Sequence, residues 1–226
     1  MVVEGRRLVA EALRVVQPEA LFYTEAFAET AEGAALLRHH RGAAWPVSRA
    51  VMTAMADTQS PQGILAVVPV PRLPLPQGEV FTLIPDRVRD PGNLGTILRT
   101  AWAAGVDRVL IPPETVDPTN PKVVRAAMGA HFHLPWRVMD WEAIRHHLDG
   151  ATVWLAEARA GKPYDAVDWR GNVALVVGGE ASGASEEGRA LAAGHRTHIP
   201  LREGVDSLNA AVAAAVFLFA AARRRR

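Results

Sequence analysis

The run from Ala210 to Ala222 contains no charged residue and no hydrogen-bonding side chain. Wound as a helix it has no polar face. Val212, Val216 and Phe219 share one side, while Phe217 and Leu218 point elsewhere. A helix that is apolar all round needs cover on every side, from the protein's own sheet or from another chain. It falls short of the roughly 18 residues that a membrane span needs. Directly before it lie Gly204 in a loop, then Ser207 and Asn209. Both are helix-capping residue types, and for Ser207 capping alone is a sufficient explanation. A buried helix with a polar first turn nevertheless marks the neighbourhood of a site.

The remaining composition narrows the classes. The 226 residues suffice for one large or two modest domains. With 49% hydrophobic and 22% charged residues the chain reads as an ordinary globular protein. It has no cysteine, which excludes a disulfide framework, a thiolate metal site and a cysteine nucleophile, and which fits a reducing compartment. The N-terminus lacks a basic-then-apolar signal pattern. A cytoplasmic protein with no membrane segment is the expectation. The net charge of +1 neither favours nor excludes a nucleic-acid partner. Lysine occurs only at positions 122 and 162. The arginine bias suits phosphate binding and is equally produced by GC-rich coding.

Two units are expected, both α/β. In residues 1–68, Gly5 to Val16 has helical spacing, Ala20 to Thr24 reads as a strand and Gly33 to His40 as a helix. Pro46 to Met55 begins extended and turns helical, and Ile64 to Val68 is a β-branched strand after the turn Ser60-Pro-Gln-Gly63. Residues 69–78 form a linker, because prolines at 69, 71, 74 and 76 hold the backbone extended. Residues 79–226 then alternate between strands and helices, as a parallel sheet with helices on both sides requires. Strands are predicted over Val80 to Ile84, Arg108 to Ile111, Phe132 to Trp136, Thr152 to Ala156, Val173 to Val177 and Thr197 to Leu201. Asn93 is predicted to cap a helix from Leu94 to Ala104 that Gly105 closes. Further helices follow Asn120-Pro121, Asp140 and Ser185.

Three stretches in the second unit are placed to carry chemistry, since ligands gather at the carboxyl ends of parallel strands. The first runs from Asp86 to Ala101 and contains Asn93, Gly95 and Arg99. Asn93 is a ligand-facing amide or a plain cap, Arg99 a functional or a surface cation, and Gly95 marks close backbone approach. The second ends a buried strand in Gly178-Gly179, with Glu180 at its mouth. The third is the Ser207-to-Asn209 turn. Neither a Walker loop, a dinucleotide fingerprint nor a Gly-x-Ser-x-Gly elbow occurs. His131 and His133 alternate along a predicted strand and so face opposite ways. The pairs His39-His40 and His146-His147 share no face, so no metal site is expected.

In this order the three stretches resemble one family. Asp90-Pro-x-Asn93-x-Gly95-x-Ile-x-Arg99-Thr-Ala, Leu-Val-x-Gly178-x-Glu180-x-x-Gly183, and Ile199-Pro-Leu-x-x-Gly204-Val-x-Ser207-Leu208-Asn209 are similar to the three motifs of the SpoU (TrmH-like) RNA ribose 2′-O-methyltransferases. The resemblance covers about residues 79–224. Residues 2–68 are similar to the substrate-binding domain often found ahead of it, through Val3-Glu-Gly-Arg-Arg-Leu and Ser60-Pro-Gln-Gly63-Ile-Leu-Ala66. It implies a deep trefoil knot in the C-terminal part, a homodimer, and S-adenosyl-L-methionine (AdoMet) held by backbone at Gly178, Ile199 and Leu208. It also makes Asn93, Arg99, Glu180, Ser207 and Asn209 the functional polar residues. The chain departs from the family in having Gly179 where Asn is frequent, and Ala210-Ala211 where a second hydroxyl usually follows Asn209.

What the resemblance implies is methyl transfer to a ribose 2′-hydroxyl of structured RNA, ribosomal RNA before transfer RNA. The family proposal makes Arg99 the base, yet a guanidinium scarcely deprotonates. Arg99 is better read as the group that fixes the target phosphate. A non-catalytic RNA-binding or ribosome-assembly factor would have been free to lose polar residues at positions 93, 99, 180, 207 and 209, and none is lost. A base-methylating knotted relative lacks this Asn-x-Gly…Arg motif, and an oxidoreductase lacks its fingerprint. The terminal Arg223–Arg226 is explained by the negative end of the last helix dipole as well as by RNA.

Overall fold

A computed structural model describes residues 1–40, 42–180 and 183–225. The first part is a four-stranded sheet built from β1 (Val2–Glu4), β2 (Ala20–Tyr23), β3 (Ala44–Pro46) and β4 (Ile64–Val67) in the order β1-β4-β2-β3. Around it lie α1 (Arg6–Val15), α2 (Glu25–Ala28), α3 (Ala31–His39) and α4 (Arg49–Met55). The strand β1 and the helix α2 were not foreseen, because three and four residues are too few to set a period. From α1, Leu8, Val9 and Ala12 are buried against the sheet. This core is not self-contained: Val124 and Phe132 of the second part pack into it.

Residues 69–78 carry no regular element and are pinned by two arginines. Arg137 Nη2 donates to the Leu73 carbonyl at 2.7 Å and Arg108 Nη1 to that of Pro76 at 2.8 Å. Arg108 is fully buried, with Nε on Thr82 Oγ1 at 2.9 Å and Nη2 on the His147 carbonyl at 2.6 Å. Burial lowers its pKa, but a guanidinium retains its proton and the three acceptors satisfy it.

The second part is a seven-stranded sheet in which every pairing is parallel, ordered β7-β6-β5-β10-β8-β11-β9. Its strands are β5 (Phe81–Asp86), β6 (Arg108–Ile111), β7 (Trp136–Val138), β8 (Thr152–Ala156), β9 (Lys162–Pro163), β10 (Val173–Gly178) and β11 (Arg196–His198). The connecting helices are α5 (Pro91–Ala104), α6 (Pro121–Ala127), α7 (Trp141–His147), α8 (Glu186–Leu191) and the terminal α9 (Ala210–Arg225). The apolar run of β10 divides by parity, as a doubly covered strand must. Val173, Leu175 and Val177 join the core under α5, α6 and α9, while Ala174 and Val176 join the one under α7 and α8.

Several expectations are corrected. Asn93 does not cap α5. The cap is Asp90, whose Oδ1 accepts from the Asn93 amide at 2.7 Å with Pro91 in the first turn, the stronger cap-then-proline pairing. This leaves the Asn93 side chain free. The predicted strand at Phe132 to Trp136 is a 3-10 turn over Ala130–Phe132, entered through the left-handed Gly129, and β7 begins only at Trp136. His131 is therefore buried with Nε2 on the Pro118 carbonyl, and burial lowers its pKa. The strand predicted to reach Leu201 stops at His198, because Pro200 has no N–H to continue a ladder. The terminal helix is capped by Asn209, whose Oδ1 accepts from the amides of Ala211 at 2.9 Å and Val212 at 3.2 Å. Within this chain α9 is covered on one side only: Ala211, Ala214, Phe217, Leu218 and Ala221 are buried, whereas Val212 is 51% and Phe219 52% exposed.

Gly95 does mark a close approach, but to a helix. A Cβ there would lie 2.5 Å from Ala126 Cβ and 2.6 Å from the Val123 carbonyl oxygen of α6. Gly95→Ala is expected to destabilise the fold by about 1 to 3 kcal/mol through overpacking, lowering the thermal midpoint by roughly 2 to 4 °C for each kcal/mol. A midpoint equal to that of the parent in a melting experiment would contradict this packing.

Candidate active site

The carboxyl ends of β5 and β10 lie side by side, with Gly178 paired to Asp86. They are the central strands, from which the chain order departs in two directions, and such a point opens a crevice at the strand ends. Against β10 and the end of β8 lies a cavity of about 530 Å³. Its floor is apolar, with Leu155, Ala156, Val177 and Phe217, and its rim includes Gly178, Glu180, Ile199, Ser207 and Leu208. Residues from the second and third sequence motifs thus share one cavity.

Two glycines make its wall out of backbone. A Cβ on Gly178 would lie 2.4 Å from the Ala184 amide nitrogen, and one on Gly179 would lie 2.0 Å from the Arg87 carbonyl oxygen. Neither position has room for a side chain, so the β10 loop packs backbone against backbone where it lines the cavity. Beneath it, Asp86 is fully buried. Its Oδ2 accepts from the Ser185 amide at 2.6 Å and from Ser185 Oγ at 2.8 Å, and Ser185 Oγ in turn caps α8 through the Gly188 amide at 3.0 Å. Asp86 therefore ties the end of β5 to the far end of the loop that lines the cavity. Burial pushes the Asp86 carboxyl up, against the bonds from Ser185 that pull it down.

The first motif enters through Asn93. Its side-chain amide donates to Glu180 Oε1, and its Oδ1 accepts from Asn209 Nδ2 at 3.0 Å. One residue from each of the three stretches is thereby joined at the cavity mouth. Ser207 and Leu208 are exposed at the rim, and no side-chain hydrogen bond holds Ser207 among the described residues. Arg99 is not brought in. It lies six residues beyond Asn93, about 9 Å further along the helix and about 240° around it, exposed on the side of α5 that faces α1.

Residues outside the three motifs also line the cavity. Glu157, just beyond β8, accepts from Arg189 Nη1 at 2.5 Å and from Arg196 Nη1 at 3.4 Å, and Arg159 reaches Asp206 at 3.2 Å. The signal for them was available: β8 was predicted, and the residues after a parallel strand face the crevice. No cluster of three metal-ligating side chains occurs among the described residues.

Known proteins resemble the chain in sequence and in fold. The SpoU rRNA Methylase family matches residues 80–219, and an MRM3-like substrate binding domain matches residues 1–66. The chain is 33% identical over 292 residues to the mitochondrial rRNA methyltransferase 3 of Mus musculus, covering 100% of this chain and 68% of that protein. It is 35% identical over 175 residues to the 23S rRNA (guanosine(2553)-2′-O)-methyltransferase RlmP of Bacillus subtilis (strain 168), covering 76% and 70% respectively. Among solved structures, the AdoMet-bound rRNA methyltransferase from Sinorhizobium meliloti superposes with a TM-score of 0.84 at 32% identity, over 98% of this chain and 86% of that chain.

The Asp86 anchor generates a prediction. The folded state holds the Asp86 proton more tightly than the unfolded chain does, so its ionisation removes stability as pH rises from the ordinary carboxylate value of 3.8 through the raised one. Asp86→Asn keeps an acceptor for Ser185 and is expected to abolish that part of the pH dependence. Asp86→Ala frees the loop and is expected to weaken AdoMet binding at least about fivefold, the loss of roughly 1 kcal/mol or more. Thermal melts across pH check the Asn variant, and calorimetric titration with AdoMet checks the Ala variant. Unchanged affinity in the Ala variant would show that the loop keeps its shape without the anchor.

Proposed function

Since the chain belongs to the SpoU rRNA methylase family, we propose that it transfers the methyl group of AdoMet to a ribose 2′-hydroxyl of ribosomal RNA. The observation that carries this reading is the hydrogen-bonded meeting of Asn93, Glu180 and Asn209 at the mouth of the cavity. The cavity fits the cofactor: its apolar floor suits a purine, and Gly178 and Gly179 line it with backbone alone. Gly178, Ile199 and Leu208 would hold it, and its sulfonium supplies a methyl group already activated for transfer.

The protein's own work is then to orient the acceptor and manage one proton. Glu180 fixes the Asn93 amide, Asn93 fixes that of Asn209, and together with Ser207 they set the ribose against the cavity. Arg99 holds the phosphate of the target nucleotide, offsetting negative charge as the 2′-oxygen attacks. The proton leaves to that phosphate or to water. DNA lacks the acceptor hydroxyl.

The same proposal includes a homodimer and a knot. The exposed Val212 and Phe219 of α9 form an apolar stripe that a second copy covers. Because Arg99 stands apart from the cavity of its own chain, a partner is also the natural route for an arginine to reach it. For the knot, β11 lies beyond β8, whereas Asn209 sits beside α5 on the other side of β10. Residues 199–209 therefore cross the strand ends, and we place them through the loop that the family's trefoil requires. Residues 1–68 act as the RNA-binding domain and 69–78 as its tether. Sedimentation as a single 24.4 kDa species would rule out the dimer, and an experimental backbone trace with 199–209 outside the loop would rule out the knot.

Calorimetry with AdoMet, followed by transfer of labelled methyl to ribosomal RNA from a strain lacking the gene, tests the activity. Labelled nucleotides resistant to alkali are expected, because a methylated 2′-oxygen no longer attacks its phosphate. Arg99→Lys is expected to bind AdoMet normally and lose at least about 100-fold in turnover, since a point charge does not replace a bidentate fork. Label on the bases, or a fully active Lys variant, would contradict the mechanism.

A further inference from the structure

Between α1 and α5 lies a second cavity, of about 320 Å³, from which the reaction above draws on Arg99 alone. Arg7, Leu8 and Glu11 of α1 face Arg99 and Trp102 of α5 across it, with Met128 at the end of α6. Trp102 is 41% exposed and Met128 43%, although both side chains gain from burial. One face of the Trp102 ring is taken. His133 lies flat against it, with centroids 4.6 Å apart and planes within 7°. His133 is itself held by Glu11 Oε1 at 2.6 Å, and the other carboxylate oxygen of Glu11 accepts from Arg14 at 3.2 Å. The indole is thus oriented by a chain of contacts from both parts of the protein. The one carboxylate in the cavity is matched by neighbouring groups, while Arg7 and Arg99 have no hydrogen-bond or ion-pair partner among the described residues.

A fixed, half-exposed indole beside two unpaired guanidinium groups suits one kind of occupant. Bases splayed from single-stranded RNA stack on aromatic faces, and arginine takes the adjoining phosphate. The position also fits. Trp102 lies nine residues after Asn93, about 180° around α5, and α9 approaches α5 on the Asn93 side through Asn209. A second copy covering α9 therefore leaves the Trp102 side open. Arg99, given above to the target phosphate, lines the same cavity, so a strand resting on Trp102 runs on to the phosphate that Arg99 holds.

We propose that the α1–α5 cavity is a subsite for one unpaired nucleotide of the substrate RNA, its base stacked on the open face of Trp102 and its phosphate on Arg7. The subsite rests on the reading of RNA as substrate and adds a point of recognition outside the three motifs. The probe is a fluorescein-labelled single-stranded RNA of mixed sequence, about 12 nucleotides long, titrated with the full chain and followed by anisotropy. Trp102→Leu keeps an apolar side chain without an aromatic face and is expected to raise the dissociation constant about 5- to 150-fold, the loss of one stacked base. Trp102→Phe keeps the face and is expected to stay within about threefold. Arg7→Ala is expected to lower the slope of log affinity against log salt by about one. Thermal midpoints accompany each variant, and a purely structural role would shift midpoints without separating Phe from Leu in RNA affinity. Equal affinity of Trp102→Leu and the parent, or no RNA binding by the parent, overturns the subsite. A parent that binds RNA with this Trp102 dependence yet transfers no methyl group upholds the subsite and removes the proposed activity.

Discussion

The structure closes on one line of hydrogen bonds, Glu180 to Asn93 to Asn209. The first pair is separated by 87 residues and the second by 116. Each amide is used at both ends. Asn93 donates to a carboxylate and accepts from Asn209, while Asn209 donates to Asn93 and accepts from the first amides of α9. The line therefore runs from a negative group to the positive end of a helix, the sense in which each bond strengthens the next. Rotation of any member breaks its bond to the next. Three stretches that the chain reaches at very different points are thereby held in one arrangement at the mouth of the cavity.

That arrangement depends on backbone packing beneath it. The parallel sheet brings β5 and β10 together, and Gly178 and Gly179 let the loop press against Ala184 and Arg87 where a Cβ would collide. Asp86 fastens the far end of the loop by accepting two bonds from Ser185. Burial of this carboxylate costs stability, as its raised pKa records. A neutral acceptor would cost less. The site is thus stiffened at some expense to the fold, a pattern common where a loop must keep its shape in the absence of ligand.

Much of this was legible in the sequence. The continuous apolar run of β10, the Gly105 stop of α5, the caps at Asn120, Asp140 and Ser185, and the prolines of 69–76 each act through local chemistry, and the structure places them where local chemistry puts them. What failed was decided at longer range. Phe132 opens the predicted strand to Trp136, but it ends a 3-10 turn and is buried in the core of the other unit. Asn93 looked like a cap because it precedes an apolar helix, yet Asp90-Pro91 had the stronger claim and released it for Glu180. The motifs singled out Asn93, Glu180 and Asn209, which the structure joins by hydrogen bonds, and Arg99, which lies on another face of α5 from Asn93. The stack of Trp102 on His133 has no sequence signal, since it joins a helix to the end of a 3-10 turn 31 positions further along the chain, where the sequence predicts a strand.

The most direct measurement of the central claim is a double-mutant cycle on turnover at saturating AdoMet and RNA, comparing Asn93→Ala, Asn209→Ala and the pair. Groups that act as one unit lose their effect together. The account predicts that each single variant loses nearly the full effect and that the double variant is no slower than the worse single one within about threefold. Losses that multiply in the double variant would mean that Asn93 and Asn209 act independently, and that the hydrogen-bonded line does not organise the site.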